Sequence, residues 1–457
     1  MIGSFIAVFL GLAADPAQAD GAWYTQGTFE PVRRVAIQVR NPLDVARTNS
    51  PVIIQRSDLG PLQDIHELQM TLVDPKGVPN AEPSARQRAL EGAHGQLAET
   101  NGHAFPYQFD DLDQDGLWDE LFFMADFAPG ETKTVYVYLG TQERGWAAHR
   151  THAATGSYMR HTVPFWESET FGWKLWYPTD IDVYAKRTPQ LMSQRLYMEN
   201  LDGYAVSLID PGLGSDIMRV ASSFGGGGIG LIEDPAHPEV ITRPRFGPGS
   251  EGNFNGGPVS SPRYAFTVLA NGPVRSMVRI RTMNWNTPHG SYELDQVYSS
   301  YAGQDYSTAR VALRQIDPAG PAPRFVVGIR KHLNEDTYVQ EGGLVVSAAP
   351  EVIRNPDDLE QVQPDMTVAY AGTALVVPDR LSPTYAFAPQ DEGNHVMSMP
   401  MTADGRFDYL LAAGWSEGPN RRTASAFADY VRTVAGEYNA PVVFVSISSE
   451  IRTSEAP

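Results

Sequence analysis

One stretch concentrates the groups that do chemistry: from His161 to Arg187 the chain holds three Trp, two Tyr, four acids, three bases and a His in 27 residues. A plain core strand has no use for that mixture. A sugar site does, because aromatic faces cover the apolar side of a pyranose while carboxylates and cations hold its hydroxyls or a carboxyl group. Alternation along a strand would put Asp182, Tyr184 and Lys186 on one face. The competing reading makes the aromatic residues core and leaves the charges solvated.

A second stretch is acidic. Asp111, Asp113 and Asp115 alternate ahead of Gly116, and Asp119 and Glu120 follow. Hard cations such as Ca²⁺ take several oxygens around a tight turn, so a weak structural Ca²⁺ site stands level with a metal-free acidic turn. The twelfth position is Phe122, not the Glu of an EF-hand. No other cofactor is expected. The loops Asp210 to Asp216 and Ser222 to Gly228 let backbone approach a ligand, but no strand-then-helix context makes either a phosphate loop.

Composition narrows the partners. A net charge of -19 excludes nucleic acid and anionic membrane surfaces, whose recognition needs clustered Lys and Arg. A short oligosaccharide with one recognised uronate fits better than a long polyanion. Cys is 0, which excludes thiolate nucleophiles, thiolate metal sites and disulfides. Phe5 to Ala14 followed by Ala17-Gln18-Ala19 reads as a secretory signal over residues 1–19, and so as an exported, periplasmic or extracellular protein. No apolar run approaches the roughly 20 residues of a membrane span, so no membrane insertion is expected.

The elements that must position these groups are strands. Gly (41) and Pro (35) punctuate short alternating apolar runs, the pattern of a mostly β chain: an antiparallel β-sandwich or supersandwich with few short helices. An N-terminal β-sandwich over 20–140 and a body over 158–457 carrying the site are expected, and the two can form one unit. Residues 84–100 read as a short surface helix. Asn271-Gly272 suits a type I′ hairpin turn. Thr423 caps a helix with Phe427, Val431 and Val434 on one face, ending at Gly436, and Pro441 to Ile447 reads as a buried closing strand.

The order of motifs resembles a family. The acidic turn from Asp111 to Phe123, Trp166-Glu167-x-Glu169, Asp180 to Lys186, Asp210-x-Gly212-x-Gly214-x-Asp216, Asn271 to Arg275, Val327 to His332 and Ala412 to Ser416 are similar to those of the bacterial proteins called domain of unknown function 4861. The resemblance covers nearly the whole mature chain. It implies a galactose-mutarotase-like β-supersandwich, export in company with polysaccharide-degrading enzymes, and elimination on uronic-acid-containing oligosaccharides. The chain departs from the family at Glu169 and Thr170, usually Asp and Arg, and at Ser207-Leu208, often Tyr-His.

Elimination removes the proton beside a carboxyl group, so it needs cations on the developing charge and a base within reach. Lys186, Arg187, Lys174 or Arg275 can supply the charge, and Tyr184, His332 or His161 the base or acid. Tyr184, Lys186, His332 and Glu167 form the expected catalytic set. Substrate contacts are expected from Trp166, Glu169, Trp173, Lys174, Asp182, Arg187, Asp216 and Arg275. One rival is a glycoside hydrolase with carboxylates drawn from Glu167, Glu169 and Asp182. The other is a non-catalytic sugar-binding protein in which Trp166, Trp173 and Trp176 form a stacking platform.

Overall fold

A computed structural model describes residues 22–82, 85, 97–141, 147–158, 161–176, 180–193, 213–218, 220, 223–244, 262–287, 289–318, 320–353, 366–390 and 393–452. The expected signal over 1–19, residues 84 and 86–96 of the expected 84–100 helix, Ser207-Leu208, Asp210 to Gly212 and Ser222 lie outside these residues, as do the side chains of His161 and Trp176. The end of that expected helix is corrected: Glu99–Thr100 is a short strand, held extended by antiparallel pairing with Thr25–Gln26.

The expected antiparallel β-sandwich class is what the chain adopts. Its centre is an eight-stranded sheet in the order Arg263–Asn271, Arg275–Thr287, Gly290–Tyr301, Tyr306–Pro318, Arg406–Trp415, Met366–Val376, Leu344–Ile353 and Thr337–Glu341. Period-two patterning gives this sheet two apolar faces. Val345, Leu375, Leu411 and Ala413 point inward, against a five-stranded and a four-stranded sheet. Their neighbours Val346, Ala374, Leu410 and Ala412 point outward. The outward set is covered by helix Ala424–Asn439, whose Phe427, Val431 and Val434 are buried on it. Gly372 and Gly414 clear the space for Phe427, since a Cβ at Gly414 would lie 2.7 Å from its ring.

The N-terminal sandwich sets a five-stranded sheet against the three strands Arg47–Gln55, Glu120–Phe127 and Tyr107–Asp110, with Val35, Ile37, Val52, Leu121, Phe123 and Val137 between them. Its edge is the chain's last strand, Val443–Ile451, which returns from the body to pair with Arg33–Arg40. That strand is half-exposed or exposed along its length rather than buried, because an edge strand has a partner on one side only.

Two further sequence expectations are corrected. The C-terminal helix runs through Gly436 to Asn439, because Gly436 keeps a helical backbone and Tyr438 Oη donates to Asp408 at 2.9 Å, tethering the extra turn. The Asn271-Gly272 turn is not type I′, since neither residue has positive φ. Gly272 is needed there for close approach instead: a Cβ on it would fall 2.3 Å from Gln108 Oε1 of the N-terminal sandwich.

Candidate functional site

The aromatic and charged stretch builds the five-stranded sheet Thr151–Tyr158, His161–Ser168, Phe171–Trp176, Asp180–Lys186 and Gly214–Asp216. Register decides which side chains meet. Trp166, Trp173 and Val183 are cross-strand partners in one row, and that face is core. Glu167, Gly172, Tyr184 and Asp216 are partners in the adjacent row, on the opposite face. Lys174 faces Asp182 in the next row on the same side.

This second face is polar and largely buried. Lys174 Nζ donates to Tyr184 Oη at 3.0 Å and lies 3.3 Å from Asp182 Oδ2. Asp182 and Asp216 hydrogen-bond each other, and Asp216 Oδ1 also accepts from the Met218 backbone N–H at 2.9 Å. Burial raises the pKa of Asp182 against the pull of Lys174, and burial together with Asp182 raises Asp216 well above the ordinary range. Two carboxyls in that relation titrate as a pair, and burial together with their mutual repulsion disfavours the doubly ionised form. Asp216 is the member of the cluster with solvent exposure.

Glu167 and Lys186 form a separate buried pair. Lys186 Nζ donates to Glu167 Oε2, to the Ser168 carbonyl and to the Gln190 carbonyl. Glu167 also accepts from the Met192 and Ser193 backbone N–H groups, each at 3.0 Å, and His152 stands 3.6 Å away. Burial alone would raise Glu167, but Lys186, His152 and Ser193 outweigh it and hold its pKa at about 2. Both side chains are thereby committed to fastening residues 190–193 onto the sheet.

The remaining sequence candidates are dispersed. Trp166 and Trp173 face the core instead of a ligand: the Trp166 ring stacks on Tyr298 at 4.6 Å and its Nε1 donates to Ser307 Oγ at 2.7 Å. The alternation that turns Lys174 outward necessarily turns Trp173 inward. Glu169 is held by Arg150 and the Gly303 backbone N–H. Arg187 pairs with Glu417 at 3.0 Å and covers the Trp415 ring. Arg275 lies on the other side of the eight-stranded sheet, locked between Asp110 and Glu120 of the N-terminal sandwich. His332 occupies the seam between the four-stranded and eight-stranded sheets, its Nδ1 2.8 Å from Glu351 and its backbone N–H on Ser347 Oγ.

Several residues absent from the sequence reading belong to this neighbourhood. His152 joins the row of Glu167 by cross-strand register. Arg243 reaches Asp180 at 2.6 Å. Each of these contacts closes over a distance in sequence that no local motif reports. In the acidic turn, carboxylate oxygens of Asp111, Asp113 and Asp115 lie within 4.8 Å of one another, a spacing a hard cation can bridge. Asp119 instead accepts from the Leu112 and Asp113 backbone N–H groups and closes the turn.

No helix among the described residues is long and apolar enough to cross a membrane. A search of curated proteins finds no significant match. Among solved structures, the chain is similar to an alpha-mannosidase from Enterococcus faecalis V583, at 9% identity and a TM-score of 0.45, over 92% of this chain and 46% of that one. It is also similar to a protein in glycosyl hydrolase family 38 from Enterococcus faecalis, at 10% identity and a TM-score of 0.45, over 93% of this chain and 48% of that one. This chain thus spans about half the length of either structure. The family model described as Domain of unknown function (DUF4861) matches residues 39–443, nearly the whole chain, and the protein belongs to that family.

Proposed function

We propose that this protein is an exported carbohydrate-active enzyme whose proton transfers run on Lys174, Asp182, Tyr184 and Asp216, and that it eliminates from a uronic-acid-containing oligosaccharide. The observation that carries the reading is the Lys174 ammonium 3.0 Å from Tyr184 Oη, beside the hydrogen-bonded carboxyl pair Asp182 and Asp216. An ammonium on a phenol oxygen stabilises the negative charge left when the phenol gives up its proton. In that state Tyr184 takes the proton beside the substrate carboxyl, and the electron pair forms the new double bond as the leaving oxygen departs. The proton held by Asp182 and Asp216 goes to that oxygen. The family resemblance supports a uronate as substrate. The acidic turn at Asp111, Asp113 and Asp115 is proposed as a structural Ca²⁺ loop, remote from these steps.

Hydrolysis is the second reading, favoured by the same proton-holding pair, which resembles the acid of a glycosidase. Its geometry is less well served. The two carboxyls of a glycosidase stand about 5–9.5 Å apart. Asp182 and Asp216 touch, whereas Glu167 is three strands from Asp216, about 14 Å at ordinary strand spacing.

The test is incubation with a panel of uronate-containing oligosaccharides, followed by ultraviolet absorbance and mass spectrometry. An unsaturated product supports elimination, and its mass separates chain cleavage from loss of water. Mass change without absorbance replaces it with hydrolysis, and sugar binding without turnover replaces both with a binding protein.

A further inference from the structure

A cleft of about 840 Å³ opens between the N-terminal sandwich and the outer face of the eight-stranded sheet, on the far side of that sheet from the polar cluster. That volume lies within the range of small-ligand sites. Its floor is a grid fixed by strand register. Arg279, Val297, Arg310 and Asp408 are successive cross-strand partners in one row. Asp295, Ala312 and Arg406 form the next. Guanidinium and carboxylate groups thus alternate, with short apolar side chains between them.

That alternation suits a polyhydroxylated ring. A sugar hydroxyl both donates and accepts, adjacent hydroxyls can bridge a carboxylate or a guanidinium, and an apolar ring face fits over Val297 and Ala312. Two of the arginines are lightly held. Arg310, its side chain 49% exposed, makes one hydrogen bond of 3.3 Å, to Glu120, an acid that Arg275 already holds at 2.8 Å. Arg406, 77% exposed, has an ion pair of 3.8 Å with Asp404. The two are diagonal neighbours on adjacent strands, about 7–8 Å apart at the backbone, close enough for both forks to meet one carboxylate. Arg47, 3% exposed, also lines the cleft and has an Nε without a partner.

We propose that this cleft is a second carbohydrate site, separate from the catalytic face, which holds a uronate-bearing oligosaccharide with a carboxylate on Arg310 and Arg406. The choice of a uronate over another anionic sugar rests on the proposed function above. The cleft anchors one part of a chain while another part reaches the polar face of this or a neighbouring molecule.

Calorimetric titration of the full chain with tetragalacturonate and with its carboxyl-reduced neutral counterpart tests this. The double variant R310A/R406A should weaken tetragalacturonate binding by about tenfold to a hundredfold, the loss expected for charge-assisted hydrogen bonds, and leave the neutral tetramer within about twofold. Added salt should weaken binding to the unmodified protein and not to the double variant. Unchanged affinity in R310A/R406A overturns the proposal, as does loss of binding in Asp216→Asn alone, which would put the glycan on the polar face. Binding that needs Arg310 and Arg406 without any turnover leaves the cleft standing and removes the catalytic reading.

Discussion

Asp216 and Asp182 hydrogen-bond each other across two paired strands, a contact that two carboxyls make only while the pair retains a proton. The ordinary value for an aspartate is 3.8, and the folded protein holds Asp216 well above it. As pH rises past the ordinary value, the unfolded chain gives up this proton and the folded chain keeps it. The contribution to stability is therefore present at low pH and declines with rising pH until the folded pKa is passed. Asp216→Asn keeps the donor without the titration. The melting temperature of the variant, relative to the unmodified protein, should climb between pH 4 and 7 while turnover is lost. A constant difference across that range would remove the shared proton.

Glu167 behaves with the opposite sign. Its pKa is about 2 in the fold against an ordinary 4.5, so its contribution is complete above pH 4.5 and disappears as pH falls toward 2. Lys186→Met strands a buried carboxylate and should cost about 3–5 kcal/mol. The variant should lose thermal stability before any specific loss of catalysis can be read. In Glu167→Gln the acid limb of the stability profile should flatten. A Lys186→Met protein with unchanged melting temperature would return Lys186 to the catalytic groups.

Much of this was legible in the residues. Alternation alone placed Asp182 and Tyr184 on one face, and the strand pattern identified a sandwich. Asp216 reaches them because Gly214–Asp216 pairs with Tyr184 to Lys186, a contact between segments some thirty residues apart. The orientation of Trp166 and Trp173 needed more than alternation, since a strand with tryptophans on one side and charges on the other can present either to a core. The eight-stranded sheet, built entirely from residues 263–415, settles it. The same limit applies to Arg275, whose partners Asp110 and Glu120 belong to the other sandwich.

That Arg275 junction predicts a stability effect without a catalytic one. Its guanidinium donates to Asp110 and Glu120, each at 2.8 Å, and covers the Phe122 ring at 4.3 Å. Arg275→Ala leaves Asp110 buried without its cation and Glu120 with Arg310 alone, at a cost of about 3–5 kcal/mol. Arg275→Lys should recover little of this, because a point charge cannot serve both acids in the fork geometry. Chemical denaturation curves measure both variants, and full rescue by Lys would show that charge alone holds the junction.

Calcium binding at the acidic turn should raise the melting temperature by a few degrees, and chelator should reverse the gain. Asp113→Asn should abolish the response while leaving turnover intact. Because Asp119 serves backbone N–H groups, Asp119→Ala should lower stability even with chelator present. Identical melting curves with and without Ca²⁺ would leave the turn a metal-free closure.

Two glycines make opposite predictions from their surroundings. Gly214 opens the strand that carries Asp216; its φ is +150°, and a Cβ there would lie 2.0 Å from the Ala185 carbonyl oxygen. That obstacle is backbone, which cannot swing aside as a side chain can. Gly214→Ala should therefore push the edge strand off its partner and carry Asp216 away from Asp182, with loss of both stability and turnover. Gly436 sits in a helix interior, and a methyl group added to it would meet nothing within 4 Å. There Gly436→Ala should stabilise by about 0.5–1 kcal/mol, through the smaller entropy lost on ordering Ala. If Gly214→Ala instead melts like the unmodified protein, the edge strand does not hold Asp216 in the register described, and the shared-proton cluster loses its scaffold.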